Sequence, residues 1–177
     1  NWEMESSPYP MYTRQGTHWS VYGAATSGLS VVASFRSEGI DIPSISFDSI
    51  ELGAPRYSDK DLHNLLNLMS HPDNEKDSLA YPTLGFTGDQ KPRVLVIGDS
   101  YYWTYLYLGL HEGLFHPESK YFYYNSTMFQ QIGDHGITVT PEIRASEIEE
   151  SDVVLLVMCE PSLADFGYGL LEQTLID

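Results

Sequence analysis

The chain has 177 residues, with 25 Asp and Glu against 9 Lys and Arg, and its formal net charge at pH 7 is −16. A chain of this length suits a single domain, predicted to cover 1–177, that can bury a large core without disulfides. The few basic residues form no cluster and no apolar run approaches the roughly 20 residues that span a bilayer, so the composition argues against nucleic-acid binding and against a membrane span.

The beginning of the chain predicts a trimmed N-terminus. The sequence does not start with Met, and its first residues lack the basic start and apolar centre of a signal peptide. We therefore expect the single domain to lack an upstream portion, which would also have carried any export signal or membrane anchor.

The first predicted element is an amphipathic helix over about 20–38. Apolar residues recur there at helical spacing until Gly39, and His18 directly precedes the start of the helix. Alternation of apolar and polar residues then predicts a strand over 45–52.

A second helix is predicted to begin at Asp59 or Asp61 and to extend to Met69. The two acidic residues are interpreted as helix caps, because a carboxylate accepts hydrogen bonds from the first N–H groups of a helix. The segment 71–89 is rich in Asp, Pro and Gly and is predicted to be a long surface loop.

A short apolar strand over 93–97 runs into Gly98-Asp99-Ser100, and an amphipathic helix is predicted to follow directly. A Ser on such a turn is held at the carboxyl edge of a parallel sheet, beside the N–H groups of the next helix, where an oxyanion is stabilised. Ser100 is therefore the candidate nucleophile. The Gly-x-Ser-x-Gly elbow of α/β-hydrolases is absent, because Tyr102 occupies the final glycine position.

The rest of the chain continues the alternation of strands and helices. The predicted elements are a strand over 121–124, a short helix near 145–150, a strand over 152–159 and a closing helix over about 163–176. Cys159 lies in an apolar run and is interpreted as a small core residue. The alternation predicts an α/β fold, a parallel sheet flanked by helices on both faces.

A serine nucleophile needs a base, which makes His18 the second catalytic candidate. Imidazole accepts protons near neutral pH, and the other histidines lie in polar loops or at helix edges. No metal centre is predicted, because His111-Glu112 does not continue into His-Glu-x-x-His and the single cysteine leaves no Cys pair. The sequence also lacks a glycine-rich phosphate loop, so no cofactor is predicted.

Aromatic residues make up 13% of the chain and concentrate around Ser100. Tyr and Trp offer a flat apolar face with a polar group, which suits stacking against sugar rings. Trp19, Tyr101 and Tyr102 are the candidates for such contacts, and core packing is the alternative for each ring.

Three segments together resemble the SGNH-hydrolase-like domain of the alginate O-acetyltransferase family (AlgX/AlgJ type). They are Thr17-His18-Trp19-Ser20-Val21-Tyr22-Gly23-Ala24, Val96-Ile97-Gly98-Asp99-Ser100-Tyr101 and Cys159-Glu160-Pro161-Ser162-Leu163. In that family, too, the motif with the catalytic His precedes the Gly-Asp-Ser block. The resemblance covers most of the chain and implies a three-layer α/β/α fold, with Ser100 as the acyl-accepting nucleophile and His18 as the general base.

The same resemblance implies where the domain works and on what. It implies an extracytoplasmic location in the periplasm or cell envelope, a polysaccharide or acetylated sugar as the substrate, and a membrane-bound acyl donor as a partner. At the end of the strand over 121–124, Asn125 is a candidate oxyanion donor, with Asp99 and Glu160 as supporting residues.

The chain departs from the family two residues before the His, where the family has Asp and this chain has Gly16. The Asp of such a triad orients the imidazole, and its loss can cost about 10⁴ in rate. Three outcomes stay open: a slow Ser100/His18 dyad, a carboxylate from elsewhere such as Asp134 or Glu160, and a domain that keeps the fold without catalysis.

These observations lead to two main functional hypotheses. The first is acetyl transfer or ester hydrolysis on an extracytoplasmic polysaccharide through a serine nucleophile. The second is a catalytically impaired carbohydrate-binding or assembly module on the same fold. A weaker third hypothesis is a flavodoxin-like binder of nucleotide or phosphate.

Overall fold

A computed structural model of the chain describes residues 6–66 and 78–170. The chain divides into two compact units. The first comprises Asn1–Ser34 and Ser44–Thr87, and the second comprises Phe35–Pro43 and Gly88–Asp177.

The described part of residues 6–87 contains two helices, a short 3₁₀ helix and two strands. They are helix α1 (Val21–Ser37), strand β1 (Ser44–Gly53), a 3₁₀ helix (Tyr57–Lys60), helix α2 (Asp61–Leu66) and strand β2 (Leu79–Thr87). The predicted helix over 20–38 and strand over 45–52 are thus confirmed as α1 and β1. The end of the second predicted helix, at Met69, lies outside the described residues.

Strand β2 was not predicted, because its sequence was assigned to the surface loop over 71–89. It pairs antiparallel with β1, with Ser44 opposite Thr87 and Gly53 opposite Leu79. Each strand of a two-stranded sheet is an edge strand, where a proline such as Pro82 is tolerated. The first residues of β2 are buried, and this burial of apolar surface stabilises the strand despite its Pro and Gly residues. Residues 71–77 of the predicted loop lie outside the described residues.

The second unit is built on a mixed five-stranded sheet in the order β6-β5-β4-β3-β7. Its strands are β3 (Val94–Gly98), β4 (Lys120–Tyr123), β5 (Thr127–Phe129), β6 (Ile137–Thr138) and β7 (Val153–Val157). Strand β3 runs parallel to β4 and β7, whereas β4, β5 and β6 pair antiparallel. Its helices are α3 (Tyr102–Tyr107), α4 (Leu110–Leu114) and α5 (Pro141–Glu150).

The predicted fold class, a parallel sheet flanked by helices on both faces in a three-layer α/β/α arrangement, is therefore wrong. The sheet is mixed, a separate antiparallel pair exists, and the helices in the described residues are few. The cause lies after β4, where Tyr124 and Asn125 both have positive φ, 48° and 49°. Two such residues form the tight turn of a hairpin, which reverses the chain before a crossover helix could form.

The helix predicted after Ser100 is interrupted. Helix α3 has six residues and α4 has five, and Gly109 between them adopts a left-handed conformation with φ 69°. A glycine enters this region at little cost and breaks the helical hydrogen bonding. The helix that begins beside Ser100 consequently has only six residues, and its dipole is that of a very short helix.

The predicted closing helix begins differently and ends outside the described residues. A 3₁₀ helix covers Glu160–Ala164, and the chain is described only to residue 170. Cys159 follows β7 rather than lying in it, and it is only partly buried. No helix within 6–66 and 78–170 is long and apolar enough to cross a membrane.

The core of the second unit contains a buried histidine. His111 is 4% exposed, and its Nδ1 lies 2.7 Å from the hydroxyl of Tyr102. Burial lowers the pKa of His111 to about 4, against the effect of a hydrogen bond with the Ser119 backbone. The histidine is therefore neutral at physiological pH and serves the packing of this unit.

The free energy of unfolding is expected to depend on pH because His111 is buried in its neutral form. Between the unfolded pKa near 6.5 and the folded pKa of about 4, the unfolded chain binds the proton more readily, so stability falls as the pH falls through this range. The free energy of unfolding should lose about 3 kcal/mol at most. Urea titrations at several pH values measure the loss. The variant His111→Gln should flatten it, whereas a variant of the half-exposed His116 should keep it.

Candidate functional site

Ser100 lies two residues after the end of β3, which is flanked by β4 and β7 in the sheet of the second unit. Its carbonyl accepts a hydrogen bond from Trp103 N at 3.3 Å, and the carbonyl of Asp99 accepts one from Tyr102 N at 3.1 Å. These bonds form a helical turn that carries the Ser100 side chain at the carboxyl end of the strand. The side chain is partly exposed, as a nucleophile requires.

Asp99 fixes the turn that carries Ser100. It is 1% exposed, and its Oδ1 accepts a hydrogen bond from Tyr101 N at 3.0 Å. Its Oδ2 accepts from Cys159 N at 2.8 Å and from the hydroxyl of Tyr168 at 3.0 Å. The carboxylate thus connects the turn after β3 to the segment after β7, and it supports Ser100 by holding the backbone around it.

Removal of the Asp99 carboxylate is expected to destabilise the protein. Asp99→Ala leaves Cys159 N and the Tyr168 hydroxyl without their acceptor in a partly buried setting, which should cost about 2 kcal/mol in the free energy of unfolding. Tyr168→Phe removes one of these bonds and should cost about 1 kcal/mol. Chemical denaturation measures both values, and an unchanged stability of Asp99→Ala would contradict this role.

Asn125 belongs to a buried network in the turn between β4 and β5. Its Oδ1 accepts a hydrogen bond from Arg144 Nε at 3.1 Å, and its Nδ2 donates to the carbonyl of Tyr168 at 3.2 Å. Both ends of the amide therefore hold the turn in place. The oxyanion role of Asn125 stays a prediction, and the bonds described here give the residue a structural role.

The candidate aromatic residues differ in accessibility. Tyr102 is 0% exposed and packs against Tyr105 and Tyr121 in the core, so its ring is not available to a substrate in this structure. Tyr101 and Trp19 are partly exposed. Glu160 is exposed at the start of its 3₁₀ helix.

His18 lies in the first unit and is hydrogen-bonded to a carboxylate that the sequence did not reveal. Its Nδ1 lies 2.6 Å from Oδ2 of Asp61, the first residue of α2. A carboxylate accepts hydrogen bonds only, so Nδ1 is assigned as the donor and the basic lone pair lies on Nε2. This is the arrangement in which a triad aspartate orients a catalytic histidine.

Further hydrogen bonds hold Asp61 in position. Its Oδ1 accepts from Thr17 N at 2.8 Å, and its Oδ2 accepts from the Thr17 hydroxyl at 2.9 Å. The carbonyl of Gln15 accepts from His63 N at 3.2 Å, which ties the same loop to α2. The side chains of His18 and Asp61 are 17% and 26% exposed, so the pair is shielded yet accessible.

The electrostatics favour an ionised Asp61. Burial by itself would raise the pKa of this carboxyl, but the hydrogen bonds from Thr17 and the contact with His18 outweigh it and lower the pKa. An ionised carboxylate beside Nδ1 stabilises the imidazolium that forms when His18 takes up a proton.

Residue 16 has no room for the carboxylate of the family pattern. A Cβ atom on Gly16 would lie 2.5 Å from the carbonyl oxygen of Ser58 and 2.6 Å from Oγ1 of Thr13. The close approach of these two segments requires glycine. The carboxylate that contacts His18 Nδ1 is that of Asp61.

The structure brings some of the candidates together within each unit. His18 and Asp61 meet within the first unit, and Asp99 and Asn125 both bond to Tyr168 within the second. Ser100 belongs to the second unit. Among residues 6–66 and 78–170, no group of three or more His, Cys, Asp or Glu could hold a metal ion.

Comparisons with protein-family models, with curated proteins and with solved structures found no match.

Proposed function

We propose that the protein transfers or hydrolyses acyl esters, with Ser100 as the nucleophile, His18 as the general base and Asp61 as the residue that orients His18. The observation that carries the proposal is the 2.6 Å contact between His18 Nδ1 and Asp61 Oδ2. Serine and histidine are common residues, but a carboxylate that fixes the tautomer of the histidine ring is typical of acyl-transfer sites.

The chemistry has two halves. In the first, Ser100 Oγ attacks the carbonyl carbon of an acetyl ester, His18 Nε2 takes the hydroxyl proton, and the tetrahedral adduct expels the alcohol, which leaves with that proton. The products are the free alcohol and an acetyl ester on Ser100. In the second half, a sugar hydroxyl or water gives its proton to His18 and attacks the acetyl carbon. The bond to Ser100 Oγ breaks, Ser100 takes the proton from His18, and the acetylated sugar or acetate leaves.

The substrate and surroundings proposed here follow the resemblance of the three motif segments to the alginate O-acetyltransferase family. They are an extracytoplasmic polysaccharide or acetylated sugar as the substrate and a membrane-bound partner as acyl donor. The partly exposed Trp19 and Tyr101 are the aromatic side chains suited to sugar contacts near the two reacting groups.

Labelling with a fluorophosphonate tests the proposal, because this reagent modifies only an activated serine. We expect the wild-type protein to be labelled and Ser100→Ala to show no labelling. His18→Ala should lose at least about 100-fold in labelling rate, the contribution of general-base catalysis. Ser146→Ala, which alters an exposed serine bonded to Glu150, is the matched control and should label normally.

The possible results separate the two main hypotheses. Labelling that persists in Ser100→Ala would contradict the nucleophile. A folded wild-type protein that is never labelled and does not hydrolyse p-nitrophenyl acetate would favour the catalytically impaired binding or assembly module instead. Circular dichroism of each variant establishes that it is folded.

A further inference from the structure

Three residues other than glycine have a left-handed backbone within 6–66 and 78–170, and they contact one another. They are Tyr124, Asn125 and Tyr168, with φ of 48°, 49° and 54°. The rings of Tyr124 and Tyr168 meet edge to face with their centroids 5.0 Å apart, and Asn125 Nδ2 donates a hydrogen bond to the Tyr168 carbonyl at 3.2 Å. A left-handed conformation is costly for a residue with a Cβ atom and persists only where surrounding contacts hold it. The backbone strain of the described residues is therefore concentrated in one cluster.

The backbone around Tyr168 is left-handed over three consecutive residues. Tyr168 lies between Gly167 and Gly169, whose φ values are 71° and 75°. Glycine adopts this conformation at little cost, whereas a tyrosine pays for it. A third glycine would suit the backbone better, so the contacts that the Tyr168 side chain makes must offset this cost.

The hydroxyl of Tyr168 is bonded to the turn that carries Ser100. It donates to Oδ2 of Asp99 at 3.0 Å, and Oδ1 of the same carboxylate accepts from Tyr101 N at 3.0 Å. Partial burial, and to a lesser extent the contact with Asp99, raises the pKa of Tyr168, so the hydroxyl keeps its proton and donates at neutral pH. The side chain of Tyr168 thus contacts the residue that directly precedes the candidate nucleophile.

The carbonyl of Tyr168 is bonded to the neighbouring turn, between β4 and β5. It accepts the hydrogen bond from Asn125 Nδ2, and Arg144 Nε donates to Oδ1 of the same amide at 3.1 Å. Because a guanidinium only donates, Oδ1 is assigned to the side of Arg144 and Nδ2 to the side of Tyr168. Tyr168 therefore contacts one turn through its side chain and the other through its backbone.

The two turns lie side by side at the carboxyl end of the sheet. Strands β3 and β4 are parallel, with Gly98 opposite Tyr123, and the Gly98 carbonyl accepts a hydrogen bond from Tyr124 N at 2.8 Å. Ser100 and Asn125 each stand two residues beyond the last pair of this register. The candidate nucleophile and the candidate oxyanion donor thus come from adjacent strand ends, and Tyr168 is bonded to both of these ends.

We infer that Tyr168 is a positioning residue for acyl transfer, which fixes the turn that carries Ser100 against the turn that carries Asn125. This inference rests on the proposed function. Acyl transfer requires a defined spacing between the attacking oxygen and the groups that stabilise the oxyanion. A displacement of about 1 Å can cost about 100-fold in rate. Two hydrogen bonds from one residue, one to each turn, keep this spacing constant.

The variants Tyr168→Phe and Ser119→Ala test the inference by kinetics. Tyr168→Phe removes the bond to Asp99 and keeps the ring and the carbonyl. We expect it to lower both kcat for p-nitrophenyl acetate and the rate of fluorophosphonate labelling about 10-fold, with KM unchanged. Ser119→Ala removes a buried hydroxyl that accepts from Val94 N at 2.9 Å, at the opposite end of β3. It is the matched control for the loss of one hydrogen bond and should leave both rates unchanged.

Amide hydrogen exchange of the same variants, followed by NMR, gives a measurement that needs no catalysis. Tyr102, Trp103, Tyr124 and Ser126 donate backbone hydrogen bonds within the two turns or from them to β3. We expect these amides to exchange faster in Tyr168→Phe than in the wild-type protein, because the bond that joins the turns is lost. Ser119→Ala should leave their exchange unchanged.

The two measurements separate failure of this inference from failure of the proposed function. Labelling of Tyr168→Phe at the wild-type rate, an equal loss of rate in Ser119→Ala, or unchanged exchange in either turn would overturn the role of Tyr168. A folded wild-type protein that is never labelled would instead contradict the proposed function. The exchange data alone would then decide whether Tyr168 joins the two turns.

Discussion

Replacement of Asp61 by Asn is expected to lower kcat/KM for p-nitrophenyl acetate by about 10²- to 10⁴-fold. The amide keeps the size of the carboxylate but can donate a hydrogen bond to His18 Nδ1, which would place the ring proton on Nε2 and remove the base. The imidazolium formed during the reaction would also lose its neighbouring negative charge. The loss should fall on kcat, because Asp61 is a positioning residue that does not touch the substrate.

Two control variants distinguish this role from general damage to the fold. Glu160→Gln alters the exposed carboxylate within the third motif segment and should leave the rate unchanged. Thr17→Val removes one hydrogen bond to Asp61 and should cost about 10-fold at most. NMR of the His18 ring nitrogens should show the proton on Nδ1 in the wild-type protein and on Nε2 in Asp61→Asn. A larger loss in Glu160→Gln than in Asp61→Asn would contradict the assignment of Asp61.

The position of Ser100 is an example of what the sequence could predict. A short run of apolar residues before Gly98-Asp99-Ser100 predicts a buried strand and a turn, and β3 ends at Gly98 as expected. Such local patterns are reliable because burial and turn chemistry act over a few neighbouring residues. The same reasoning predicted α1 and β1.

The mixed sheet depends on features that local patterns do not show. The hairpin after β4 requires left-handed conformations at Tyr124 and Asn125, and a tyrosine rarely adopts one. Hydrogen bonds of Asn125 with Arg144 and Tyr168 hold that turn from residues distant in sequence. The strand direction was therefore fixed by contacts that become visible only in three dimensions.

The role of Asp61 could not be read from the sequence for a related reason. His18 and Asp61 are separated by more than 40 residues, and an aspartate at the start of a helix has an ordinary explanation as a cap. His18 and Asp61 meet only because the fold brings the start of the helix at Asp61 next to the loop that precedes α1. The one local signal in the sequence is the pair Asp59 and Asp61, which helix capping also explains.

The variant Gly16→Asp, which restores the family pattern, is expected to damage this protein. The new Cβ atom would overlap the Ser58 carbonyl and Oγ1 of Thr13, and the backbone carbonyl cannot move without shifting the 3₁₀ helix before Asp61. Overpacking together with a crowded second carboxylate should lower the free energy of unfolding by about 4 kcal/mol. Gly16→Ala introduces the overlap without the charge and should cost about 2 kcal/mol.

The double variant Gly16→Asp/Asp61→Asn tests whether a carboxylate at residue 16 can orient His18. Because the Cβ position at residue 16 is blocked by the Ser58 carbonyl, we expect the double variant to be no more active than Asp61→Asn alone. Thermal unfolding and the rate of p-nitrophenyl acetate hydrolysis measure stability and activity in the same samples. Recovery of activity to within about 10-fold of wild type, the effect of a single hydrogen bond, would show that the loop accommodates the family's arrangement. Such a recovery would contradict the conclusion that only Asp61 can orient His18.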